Sequence, residues 1–284
     1  MLDRDEYVEQ AFFFQTFRER VEMGVPAQEI LSVMRAEVLA STKLPMAIDL
    51  LLTEMKHTGT MSPAMFRLKH YFAPFQAFVI QQSEQPKGKF DFRIAMQILE
   101  QEARYRSDSP TPQGVFFYQF ESLCRNKLGY QEGLAAIAGD PVFDESWKNW
   151  IRLLHNELGV VDFADMIYLR SEHCRRIGNH IDNHVGNHAG NDDMSGPVLF
   201  SEREGRIARA TMGRDPVYLF SALSRHLNYP QVPRQKAPNE EENLIPVLKR
   251  RIEHLENRLQ LLEEETRGGI NLDRFYVHKT NEIK

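Results

Sequence analysis

Apolar residues recur at steps of three and four along most of this chain, and that rhythm constrains the fold more than any other feature. Tyr7, Ala11, Phe14, Phe17 and Val21 step by 4, 3, 3 and 4, which places them on one face of a helix. Asp3 or Asp5 stands where a cap is needed, and Gly24 and Pro26 end the stretch. Ala27, Leu31, Met34 and Val38 make the next stripe, with Pro26 suited to its first turn. A third helix is expected from about Pro45 to His57. Ser62-Pro63 reads as a cap followed by a first-turn proline. Pro74 must kink or split "AMFRLKHYFAPFQAFVIQQ", because its ring removes an N–H and clashes with the preceding turn.

The rhythm continues after the loop "SEQPKGK". Asp91 caps a helix through Phe92, Ala95, Met96, Leu99 and Ala103. Phe116, Phe120 and Leu123 stripe the following one, after a second loop, "SDSPTPQG". Asp144 caps a helix with Trp147, Ile151, Leu154 and Leu158, and Asp162 opens "FADMIYLRSEHCRR". Ser201 with Glu204 is a capping-box signature, and Asp215-Pro216 starts a helix through Val217, Phe220, Leu223 and Leu227. Strand signals are confined to "GPVLF" and to "GVV" at 159–161. The expectation is an all-α protein: a multi-helix globular bundle or irregular helical array, with a C-terminal amphipathic or coiled-coil helix and at most one short β-hairpin. "LGYQEGLAAIA", at 128–138, slightly resembles one tetratricopeptide unit. That pattern needs about 34 residues and several copies, so it adds the helical array as an architecture and implies nothing more.

The expected organisation is a helical body over 1–229, a linker over 230–243, a helix over 244–267 and a tail over 268–284. Within the body, 178–196 reads as a flexible loop rich in His, Asn and Gly. The linker assignment rests on the proline and charge of "PQVPRQKAPNEEE".

Composition bounds the function. The net charge of −5 offers no general attraction to nucleic acid or an anionic membrane, so neither is expected as a partner. No apolar run approaches the roughly 20 residues that span a bilayer. The start "MLDRDEYVEQ" is unlike a signal peptide, and Cys124 and Cys174 make no disulfide framework. A reduced, cytoplasmic setting is the expectation.

Three features invite a chemical reading. His180, His184 and His188 recur every four residues, with His173 and Cys174 upstream, and imidazole is a good ligand for zinc, nickel and copper. Gly178, Gly186 and Gly190 oppose a helical arrangement of these ligands, at about 1 kcal/mol each. A solvated loop therefore outweighs a metal site. Glu54-x-x-His57 is half of a di-iron bundle signature and lacks its second copy. Arg206 and Arg209, three apart, share a helix face able to grip an anion. Glu202, Glu204 and Asp215 stand near enough in sequence to neutralise them. No nucleophile elbow, dinucleotide fingerprint or phosphate loop is present, and no cofactor is expected. Cys124 reads as a small core residue.

The C-terminal segment carries the most regular pattern. With Ile245, Ile252 and Leu259 at heptad position a, Leu248, Leu255 and Leu262 fall at d. Arg251 and Arg258 at g would face Glu256 and Glu263 at e of a parallel partner. The expected role is thus a non-enzymatic helical protein that forms a homodimer through these residues and presents a surface to another, unidentified protein. The alternative is an enzyme, or a metal- or small-anion-binding bundle, with a site assembled from distant residues.

Overall fold

The computed structural model describes residues 2–85, 90–108, 110–158, 160–182 and 196–235, and only the backbone of 178–182. The chain divides into two units, 1–235 and 236–284. The second, with the heptad residues Ile245, Leu248, Ile252, Leu255, Leu259 and Leu262, lies outside the described residues. The protein is all-α, and among the described residues no strand forms. The stretches read as possible strands contribute one isolated bridge each, Leu158 with Val161 and Ser171 with Phe200.

Thirteen helices are present among the described residues: α1 (Arg4–Glu22), α2 (Ala27–Glu37), α3 (Leu44–Thr58), α4 (Ser62–Arg67), α5 (Pro74–Glu84), α6 (Phe92–Ser107), α7 (Pro112–Asn126), α8 (Tyr130–Ala138), α9 (Glu145–Glu157), α10 (Phe163–Leu169), α11 (Glu172–Asp182), α12 (Glu202–Thr211) and α13 (Pro216–Leu227). The caps follow the side chains that the sequence offers. Asp91, Asp144, Asp162 and Asp215 each accept a first-turn N–H. Ser201 and Glu204 form the capping box of α12. Pro74 splits its segment outright and becomes the first residue of α5. Two local expectations are corrected. Ser62 lies inside α4, behind Met61, and the N–H groups of both residues are taken by the Glu84 carboxylate. Asp3 occupies the cap position of α1 without a side-chain bond.

The most enclosed helix of residues 1–235 is α7. Every residue from Gly114 to Leu123 is buried, so this helix is enclosed on all sides rather than along a stripe. Phe116 sits among aromatic rings, with centroids 5.5 Å from Trp147 and 5.0 Å from Trp150. Gly114 permits the close approach of α6: a Cβ there would lie 1.9 Å from the Tyr105 hydroxyl. That hydroxyl donates to the Leu227 carbonyl at 3.1 Å, tying α6 to the end of α13.

Enclosing α7 also buries its polar residues, and each finds a partner. Gln119 Nε2 donates to Glu102 at 2.6 Å and to Asp140 at 3.1 Å. Arg106, from α6, donates to both carboxylates, and all three side chains are essentially inaccessible. Burial works against the Arg106 charge, but Asp140 and Glu102 more than offset it and hold the guanidinium well above its ordinary pKa. Glu121 accepts from the Tyr229 hydroxyl at 2.8 Å.

Acidic residues of α1 serve the neighbouring backbone. Glu6 accepts from the Lys43 N–H at the start of α3, and Glu9 from Leu39 N–H, both at 2.9 Å. The aromatic run at 12–17 is divided between core and surface: Phe13, Phe14 and Phe17 are buried, whereas Phe12 is 41% exposed.

The described chain stays on the body beyond Tyr229. Val232 is buried, and Asn126 on α7 holds both the Pro233 carbonyl, at 3.0 Å, and the Gln235 N–H, at 3.2 Å. In the histidine-rich stretch, α11 continues to Asp182, so 178–182 are helical rather than loop. The cost of a single glycine is about 1 kcal/mol, which an already nucleated helix absorbs.

Candidate functional site

Three connections, α7–α8, α9–α10 and α12–α13, converge at one end of α7 and leave a cleft of about 510 Å³. The end of α7 supplies Phe120, Cys124 and Arg125. The start of α8 supplies Tyr130. The α9–α10 connection adds Leu158, Val161, Asp162 and Phe163, and the start of α13 adds Arg214 to Val217 and Phe220. The volume falls in the range of ordinary ligand sites, roughly 300–1,000 Å³.

The floor is aromatic. The Phe120 ring lies 4.6 Å from Phe163 and 6.1 Å from Phe220, and Phe163 lies 6.0 Å from Phe220. Tyr130 closes one side, 6.5 Å from Phe120. Apolar side chains also continue past the rim. Val160 is 88% exposed, Val217 49% and Tyr218 63%. Val160 and Tyr218 follow or precede lining residues directly in the chain, so the cleft opens onto an apolar surface.

The walls are held by one carboxylate. Asp162 Oδ1 accepts from the Ala164 N–H at 3.0 Å and caps α10. Its other oxygen accepts from the Gly213 N–H at 2.7 Å. Gly213 has φ of +68°, a conformation that an L side chain seldom adopts, and it turns the chain from α12 towards α13. Asp162 thereby fixes both sides of the mouth relative to each other.

The charges at the mouth are unequally occupied. Both oxygens of Asp162 are taken. One oxygen of Asp215 accepts from the Val217 N–H at 2.9 Å. Arg125 pairs with Glu121 on its own helix. Arg214 is exposed, and no side chain among the described residues pairs with it.

The only thiol in the cleft is held in its neutral form. Burial pushes Cys124 up to about 11, against a smaller opposing effect of the Tyr130 hydroxyl. Burial likewise pushes Tyr130 up to about 12, and the thiol adds to that. At neutral pH these two groups are uncharged lining with a weak hydrogen bond between them.

The sequence-derived candidates lie elsewhere. Arg206 is paired with Glu202, and the Arg209 guanidinium lies 5.7 Å above the Tyr168 ring, so both sit on α12 with partners of their own. Cys174 is buried in α11, and His173 stands edge-on to Tyr168 at 6.1 Å. The side chain of His180 and all of His184 and His188 lie outside the described residues. Among the described residues no three His, Cys, Asp or Glu side chains gather where a metal ion would be held. Glu54 pairs with Arg67. No helix among the described residues is long and apolar enough to cross a membrane.

The sequence reading missed the cleft. Cys124, expected in the core, packs against it half-buried and also lines the cleft. The available signals were the two aspartate caps: Asp162, followed directly by Phe163, and Asp215, with Tyr218 three residues on. No family model matches the chain, no curated protein matches it, and no solved structure matches it.

Proposed function

We propose that the protein is a helical interaction module whose cleft at the end of α7 receives apolar side chains of another protein. The observation that carries this reading is the cleft floor of Phe120, Phe163 and Phe220 continuing outward into exposed Val160, Val217 and Tyr218. An apolar, aromatic centre with charge at its edge is the anatomy of a protein-binding surface. The neutral thiol and phenol of the cleft suit contact rather than proton or acyl transfer. A photoreactive amino acid placed at Tyr218 in cells tests the reading. Discrete protein adducts are expected, and they should vanish when Val217→Asp is added. Adducts indifferent to Val217→Asp would reject it.

We further propose that the protein self-associates through Ile245, Leu248, Ile252, Leu255, Leu259 and Leu262, on the strength of their unbroken heptad pattern. Light scattering on the full chain at tens of micromolar should give a dimer, and Leu255→Asp a monomer. A dimer that survives Leu255→Asp would reject the heptad seam.

A further inference from the structure

Resting on the reading of the cleft as a protein-docking site, we infer that its partner is an acidic–apolar segment: one or more large apolar side chains with a carboxylate placed beside them. The argument is charge complementarity at the mouth. Four charged residues line it, and they are committed to different degrees. Asp162 gives both oxygens to backbone N–H groups across the mouth. Asp215 turns an oxygen to its own helix start. Arg125 is paired with Glu121. Arg214 and Asp215 both line the cleft exposed and without an ionic partner among the described residues, but Asp215 already holds the Val217 N–H, whereas the Arg214 side chain makes no hydrogen bond there. Arg214 is also held in place, since it lies between Gly213, fixed by Asp162, and the cap of α13.

An arriving carboxylate therefore meets an uncommitted guanidinium able to bind it through two N–H groups. An arriving ammonium meets carboxylates that already serve backbone N–H groups, with Arg214 beside Asp215 opposing it. The start of α13 opens on the same mouth and biases it further towards negative charge. The apolar anchor supplies most of the affinity, and the Arg214 pair decides which segments are accepted.

Panning a displayed library of random twelve-residue peptides on the full protein tests this, with Val217→Asp protein as the counter-selection. The expected result is a set of peptides that require Val217 and carry Asp or Glu next to Leu, Phe or Trp. On a synthetic peptide from that set, Arg214→Glu should weaken binding about three- to tenfold at low salt. Exchanging the peptide's acid for lysine should restore binding to the Arg214→Glu protein. Peptides that require Val217 but show no acidic preference would overturn this inference and leave the docking site standing. A library that yields no peptide dependent on Val217 would overturn both.

Discussion

Asp162 makes two bonds that no other residue at the cleft duplicates, one to α10 and one to the Gly213 turn. Replacing it with alanine removes a helix cap and leaves a turn amide without its acceptor. The expected cost is about 1–2 kcal/mol, read as a lower urea midpoint at unchanged slope. Asp162→Asn should recover part of this, since it keeps one acceptor. Cys124 reports on the same place through pH. Its folded pKa is raised from its ordinary 9.0 to about 11, so the stability it contributes is complete below pH 9 and is lost as pH climbs to 11. Tyr130, raised from 10.0 to about 12, carries the loss further in the same direction. Urea unfolding between pH 8 and 11 should show a decline that Cys124→Ala makes shallower. Modification by a disulfide reagent in the native protein should remain slow until pH approaches 11, and labelling that levels off near pH 9 would contradict the burial.

At the scale of elements, α7 shows what a sequence reveals and what it conceals. Phe116, Phe120 and Leu123 were legible as a stripe because apolar spacing declares a buried face. Gln119, beside the stripe, and Glu121 and Ser122, on the opposite face, read as solvent-facing, yet all three are buried. The reason is chemical: its partners Glu102, Asp140 and Tyr229 come from other elements, and no local pattern announces them. The aspartate caps were legible because a cap is a contact within a few residues. The cleft was not, because its lining is gathered from positions 120 to 220. The buried charges give a sharp test. Arg106→Met leaves Glu102 and Asp140 facing each other without a cation and should cost about 3–5 kcal/mol. Combining it with Glu102→Met should recover a substantial part, since the uncompensated charge is then reduced. Phe120→Ala, beneath the cleft, should cost about 3–5 kcal/mol by leaving a cavity among the aromatic rings.

At the scale of the molecule, the body ends where its contacts end. Composition places a linker after residue 229, because proline and charge begin there. The structure instead holds the chain to Gln235 through buried Val232 and the two bonds of Asn126. A chain of residues 1–235 should therefore be more stable than one of residues 1–229, by about 1–3 kcal/mol in chemical denaturation. Equal stability of the two would mean that Asn126 holds nothing of consequence. The same strap sets a timetable for synthesis. Tyr105 waits for the Leu227 carbonyl, Glu121 for Tyr229, and Asn126 for Pro233 and Gln235, so α6 and α7 complete their bonding only when chain made more than a hundred residues later has arrived. Until then a translating ribosome displays an unfinished core, which is the period when a chaperone has something to hold. Residues 236–284 are still to be made when Gln235 has been added, so the body can close while the nascent chain remains tethered to the ribosome.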